Sequence, residues 1–154
     1  MTTAIDPLLP QLAAASAHTH ALGFTFDGRD GDRVRLRVPW REDLVGDPRT
    51  GVVSGGLMTT LLDHVGGLAV WTALDAFHPI ATLDFRVDYM RAARPGRDLV
   101  AEARCYHRTA SIAFVRAWAF EEDIEDPVAA AQGTYILTGG AGDRLGANLK
   151  DRKA

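Results

Sequence analysis

Two features of one twenty-residue stretch, GVVSGGLMTTLLDHVGGLAV, could do chemistry together. The first is Ser54-Gly55-Gly56, and the second is Asp63, eight residues after the first glycine of the pair. Glycines that open a helix leave its first N–H groups bare, and those groups lack intrahelical acceptors. A helix N-terminus also favours partial negative charge. A carbonyl oxygen laid against that backbone would be polarised, and the oxyanion of a tetrahedral intermediate would be held there. Ser54 suits the capping position. Asp63 supplies the second half, as a general base on water or as a nucleophile on the carbonyl carbon. The plainer alternatives are a satisfied core or interface carboxylate and a glycine pair that only permits close packing. His64 follows Asp63, but adjacent helical residues point about 100° apart, so His64 reads as a structural or rim residue. Thr59 and Thr60 read as hydroxyls that bond back to their own helix.

The elements that must position these residues follow from periodicity. Ser54 to Leu74 is apolar nearly all round, which predicts a long helix buried on most sides. At about 1.5 Å per residue it spans roughly 30 Å. Gly66-Gly67 weakens it by about 1 kcal/mol per residue, which implies close approach by another element. Upstream, Leu8 to Leu22 predicts a helix with Asp6 as its cap. Phe24 to Asp27 and Arg33 to Pro39 read as strands, and Trp40 to Val53 as a loop. Downstream, Ile80–Arg91, Leu99–Arg108, Ser111–Glu121 and Val128–Leu137 alternate as four antiparallel strands. One long helix wrapped by an antiparallel sheet is an α+β arrangement, the pattern of the hotdog fold.

Spacing also sets the architecture of a site. Eight helical residues place Gly55 and Asp63 about 12 Å apart, so one carbonyl carbon cannot touch both within one chain. Two antiparallel copies of the helix about a two-fold axis would set Gly55 of one copy against Asp63 of the other, giving two sites per dimer.

Composition narrows the function classes. The 154 residues are 47% hydrophobic and 24% charged, which fits one domain with a real core. The expected division is one domain over 1–139, opening with a helical segment over 1–22, and a polar tail over 140–154. With 17 basic and 20 acidic residues the net charge is −3, giving no support for nucleic-acid binding. The single cysteine, Cys105, excludes an internal disulfide and a cysteine-cluster metal site. The five histidines show no ligand pairing beyond a weak His18-x-His20, so no metal is expected. The long apolar helix carries Asp63 and His64, so no membrane span is expected. The N-terminus lacks a basic region and reads as mature sequence, not a signal peptide. A soluble cytoplasmic protein is the expectation.

The Gly51–Val70 stretch resembles the core motif of hotdog-fold acyl-CoA thioesterases of the phenylacetate-pathway type: two glycines, then an acidic residue eight positions after the first. TLDFRVDYMRAARPG resembles that family's next strand and turn, and RTASIAFVRAWAF and VAAAQGTYIL its last two strands. The likeness covers about residues 45–138. It implies Asp63 and the Gly55 backbone as catalytic groups, with Thr82 matching a Ser or Thr that helps place water. It implies an obligate homodimer with shared sites, often paired into a homotetramer, and no cofactor, because coenzyme A belongs to the substrate. The nucleotide phosphates call for a basic rim, for which Arg91, Arg94, Arg97 and Arg108 are the candidates; Ser54 and Gly56 would flank the thioester. Ser54 stands where the family usually has histidine. Tyr106 and Trp118 read as packing residues.

Three readings follow. An acyl-CoA thioesterase leads, a non-catalytic acyl-CoA-binding hotdog protein is second, and a hydratase is last because it needs a catalytic histidine that only His64 could supply.

Overall fold

A computed structural model describes residues 3–138. The polar tail expected over 140–154 lies outside those residues.

The N-terminal segment differs from a single helix. A 3₁₀ turn, Asp6–Leu8, runs into α1 (Leu9–Ala13), and a break separates it from α2 (Ala17–Leu22). Ser16 makes the break: its backbone is extended, and its Oγ accepts from the Thr19 N–H at 3.0 Å, capping α2. A serine in an alanine run offers the backbone a local acceptor that competes with helix propagation. Asp6 does not cap the helix. It accepts from the Thr3 N–H at 2.7 Å and pairs with Arg29.

Strands β1 (Thr25–Asp30) and β2 (Arg33–Val38) form a hairpin, with Val34, Leu36 and Val38 buried. The expected loop after them is partly ordered by a 3₁₀ turn, Glu42–Leu44, and a miniature hairpin of β3 (Val45–Asp47) and β4 (Val52–Val53). Helix α3 (Gly55–Leu74) follows, then β5 (Ile80–Tyr89), β6 (Leu99–Arg108), β7 (Ile112–Phe120) and β8 (Ala129–Leu137). The six long strands make one antiparallel sheet in the order β1-β2-β6-β7-β8-β5.

Helix α3 lies on one face of this sheet. It is long and apolar enough to cross a membrane by length and composition, yet most of its apolar length is buried inside the fold. Leu61, Leu62, Val65 and Leu68 are fully buried. The strands answer with small residues, among them Ala101, Ala103, Ala113 and Ala117, which let a thick helix approach closely. Truncating Leu61 or Leu62 to alanine would cost about 2–5 kcal/mol. The helix ends at Asp75, a left-handed residue (φ 52°) whose side chain accepts from the Ile5 N–H at 3.2 Å, tying the N-terminal segment to the core helix.

Strand β5 is a sheet edge with a bulge. Pairing with β8 slips between Thr82 and Asp84, so Leu83 is the extra residue. Strict alternation would put Thr82 on the face opposite Phe85. The bulge turns it onto the helix side, directly across from Tyr135. Leu83, Tyr89 and, just past the strand's end, Met90 are more than half exposed at 53%, 55% and 57%.

Candidate active site

The helix start is built from two sides. Ser54 caps α3 with an extended backbone, and its Oγ accepts from the Leu57 N–H at 3.2 Å. The Ser54 N–H donates to the Leu44 carbonyl at 2.9 Å, which fastens the preceding loop to the cap. Gly46 permits that contact, since a Cβ there would lie 2.8 Å from the Ser54 Cα. The sequence offered no reason to single out Gly46, because its role depends on a residue eight positions away. Gly55 and Gly56 are exposed at the first turn. Tyr89 from β5 closes over that turn, donating to the Gly55 carbonyl at 2.9 Å and lying 2.8 Å from the Thr59 hydroxyl. Thr59 and Thr60 bond back to the Gly55 and Gly56 carbonyls.

Asp63 sits two turns further along, half-buried on α3. Its Oδ1 accepts from the Thr82 hydroxyl at 2.9 Å, and the single Tyr135 hydroxyl proton is shared between the Asp63 backbone carbonyl at 2.8 Å and Oδ1 at 3.1 Å. No cation pairs with Asp63 among the described residues. The structure therefore brings Asp63 and Thr82 into contact. It adds Tyr135, which in the sequence reads as one more aromatic on an alternating strand.

Gly55, Thr59 and Asp63 lie at four-residue steps, so they follow one strip of the helix surface. That strip runs beside the β5 edge, with its exposed Leu83, Tyr89 and Met90. The two chemical ends are about 12 Å apart along the axis.

His64 points elsewhere, as its spacing predicts. Its Nε2 lies 3.1 and 3.0 Å from the carbonyls of Leu12 and Ala13, at the end of α1, and its ring packs near Phe24. Burial lowers its pKa from the usual 6.5, and the two carbonyls and the Asp63 charge only partly offset this.

The arginine candidates separate. Arg91 is engaged by structure: its guanidinium holds both oxygens of Glu121 and also Asp126 at 3.1 Å. The Arg94 N–H donates to Glu121 at 2.7 Å. Burial alone would raise the Glu121 pKa, but the Arg91 and Arg94 hydrogen bonds outweigh it and hold the group below its usual range. Arg94 and Arg97 are themselves exposed and make surface pairs with Asp126 at 3.5 Å and Glu122 at 2.9 Å. Arg108 is exposed at the end of β6. Tyr106 packs its ring under the Arg116 guanidinium at 4.8 Å. The Trp40–Val53 segment borders a pocket of about 290 Å³ lined by Trp40, Glu42, Val45, Pro48 and Gly51. No group of three or more His, Cys, Asp or Glu able to hold a metal occurs among the described residues.

Residues 50–128 match the thioesterase superfamily pattern. A solved structure from Pseudomonas aeruginosa is 34% identical, superposes with a TM-score of 0.76, and is covered to 96% by 84% of this chain. The chain belongs to the thioesterase superfamily. A protein of Halobacterium salinarum, provisionally named an esterase, is 45% identical over 80 residues. That match takes in 50% of this chain and spans about half of the relative, 51%. The phenylacetic acid degradation protein PaaI of Thermus thermophilus shares the fold, with a TM-score of 0.68 at 24% identity over 80% of this chain and 100% of its own. The superfamily's hotdog architecture, an antiparallel sheet with one long central helix, is the one observed.

Proposed function

We propose that the protein hydrolyses acyl-CoA thioesters to a carboxylic acid and free CoA, in the cytoplasm. Superfamily membership supports thioester hydrolysis. The observation that carries the site is Asp63 itself: a carboxylate held by neutral hydroxyls, with no cation beside it among the described residues, on the helix strip that also bears the Gly55-Gly56 start.

The Gly55 N–H, with Gly56 leaving the approach open and Ser54 fixing the turn, polarises the thioester carbonyl. With Asp63 as base, the carboxylate takes a proton from water as the water oxygen attacks the carbonyl carbon. The oxyanion rests on the Gly55 N–H, then collapses and expels the CoA thiolate, which takes up the proton. With Asp63 as nucleophile, its oxygen bonds to the carbonyl carbon and displaces the thiolate. Water then cleaves the resulting anhydride. Thr82 orients Asp63 in either route. Neither route needs a metal or an organic cofactor.

Because the two halves lie about 12 Å apart in one chain, the working site combines Gly55 of one protomer with Asp63 of its partner. The exposed Leu83, Tyr89 and Met90 beside the strip supply apolar area for such a homodimer, and two dimers would make a homotetramer. Arg94, Arg97 and Arg108 are free enough to meet nucleotide phosphates, whereas Arg91 serves the Glu121 clamp.

A thiol-release assay over aromatic, short-chain and medium-chain acyl-CoAs tests the proposal. The expected result is saturable release with at least one class. Tight acyl-CoA binding without thiol release would instead support a non-catalytic binding protein, the reading that Ser54 in the family's histidine position favours.

A further inference from the structure

Tyr135 is 2% exposed and sits on β8, yet its hydroxyl reaches into the α3 turn that carries Asp63. The approach is possible only because residue 66 has no side chain. A Cβ on Gly66 would stand 2.2 Å from the Tyr135 hydroxyl oxygen and 3.0 Å from the ring carbon that bears it. Gly66 lies three residues after Asp63 and so shares its face of the helix. A glycine in a helix interior costs about 1 kcal/mol relative to alanine. Here that cost opens a slot for one hydroxyl.

The strand pair is arranged for the same end. Thr82 and Tyr135 are direct partners across β5 and β8, and the bulge at Leu83 turns Thr82 toward the helix. Two neighbouring hydroxyls from two strands thus converge on one oxygen, Asp63 Oδ1, at 2.9 and 3.1 Å. Packing alone does not require this. A phenylalanine at 135 would fill the same space, whereas a buried phenol must find an acceptor. Burial, then the Asp63 charge beside it, raises the Tyr135 pKa well above the usual 10.0, so the group stays a neutral donor and does not itself move the proton.

We propose that Tyr135, admitted by the bare Gly66, is a positioning residue that pins Oδ1 of Asp63 so that Oδ2 is the oxygen presented to water or to the thioester. The proposal rests on the reading of Asp63 as the reacting carboxylate. A rotating carboxylate would present either oxygen and lose the alignment that makes intramolecular attack fast. Tyr135 and Thr82 together fix its rotamer.

The test compares Tyr135→Phe, which keeps the ring, with wild type and Asp63→Asn. The Asp63 side-chain carboxyl is titrated by carbon NMR in aspartate-labelled protein, with Asp63→Asn assigning the resonance. Thiol release gives kcat and KM on the same preparations. The Tyr135→Phe titration should move upward by about 0.5–1 pH unit, because the ionised carboxylate loses a donor. Its kcat should fall about tenfold with KM within about twofold. Gly66→Ala should move both quantities in the same direction. An Asp63 titration and a kcat unchanged in Tyr135→Phe, with Asp63→Asn inactive, would overturn the positioning role alone, even if the variant melts earlier. Full turnover by Asp63→Asn would overturn the reading beneath it.

Discussion

Glu121, just past the end of β7, and Asp63, on α3, are both carboxylates, and they are held in opposite ways. Glu121 has a side chain 2% exposed, and both its oxygens are taken by the Arg91 guanidinium and the Arg94 N–H. Asp63 is half-buried, meets no cation among the described residues, and has one oxygen held by two neutral hydroxyls. A carboxylate with both oxygens bound to donors, one of them a guanidinium, is stabilised as an anion and has little acceptor capacity left. One held from a single side keeps an oxygen free. Glu102 repeats the first pattern, 1% exposed between Arg33 and Arg35. Arginine clamps fix the sheet, and hydroxyls furnish the site.

The contrast can be broken most severely at Asp63. Asp63→Asn keeps the shape and should retain the fold, with a melting temperature within a few degrees of wild type. It should lose at least about a hundredfold in kcat. Near-normal turnover in a thiol-release assay would remove Asp63 from the chemistry.

Glu121→Gln should do the reverse. Removing the Glu121 charge leaves Arg91 with Asp126 as its one remaining carboxylate, at a cost of about 2–4 kcal/mol, or roughly 10 °C in melting temperature, with kcat of the folded protein unchanged. The pH dependence has a definite sign. Because the folded pKa of Glu121 lies below its usual 4.5, the stabilisation is present above that value and is lost as pH falls through the folded pKa. The gap between wild type and Glu121→Gln should therefore close in acid, as differential scanning fluorimetry would show.

The smallest effect belongs to His64, which fastens α1 to α3. Its pKa is lowered by burial, so the unfolded chain binds a proton more readily than the folded one, and stability falls as pH drops below about 6.5. His64→Gln should flatten that slope by on the order of 2 °C between pH 7 and pH 5.5, with little change in kcat.

The parts written in a short repeat were the legible ones. Helix α3 begins at the glycine after the expected cap, and β6 has the expected ends, because apolar runs and strict alternation state their own period. Asp63 stood out as a charge in an apolar helix. Three things were hidden. The break between α1 and α2 turns on one serine within an alanine run that also reads as helix. The bulge at Leu83 leaves no composition signal, yet it decides that Thr82 faces Asp63. Tyr135 and Gly66 become a pair only when a strand from the chain's end crosses its central helix. The partner of Arg91 is set by the fold in the same way: the sequence shows Arg91 but not that Glu121 folds back to hold it.

The central claim is that the two halves of the site come from different protomers. Gly55→Val removes the bare approach to the carbonyl, while its new Cβ meets Tyr89 at an ordinary 3.4 Å, so the helix start should survive. Asp63→Asn removes the carboxylate. Each variant alone should be nearly inactive. Co-expressed with different tags and purified as the mixed dimer, the two should rebuild one intact site, from Gly55 of one protomer and Asp63 of its partner. That hybrid should recover about half the wild-type rate per dimer. A mixed dimer no more active than its inactive parents would contradict the shared site.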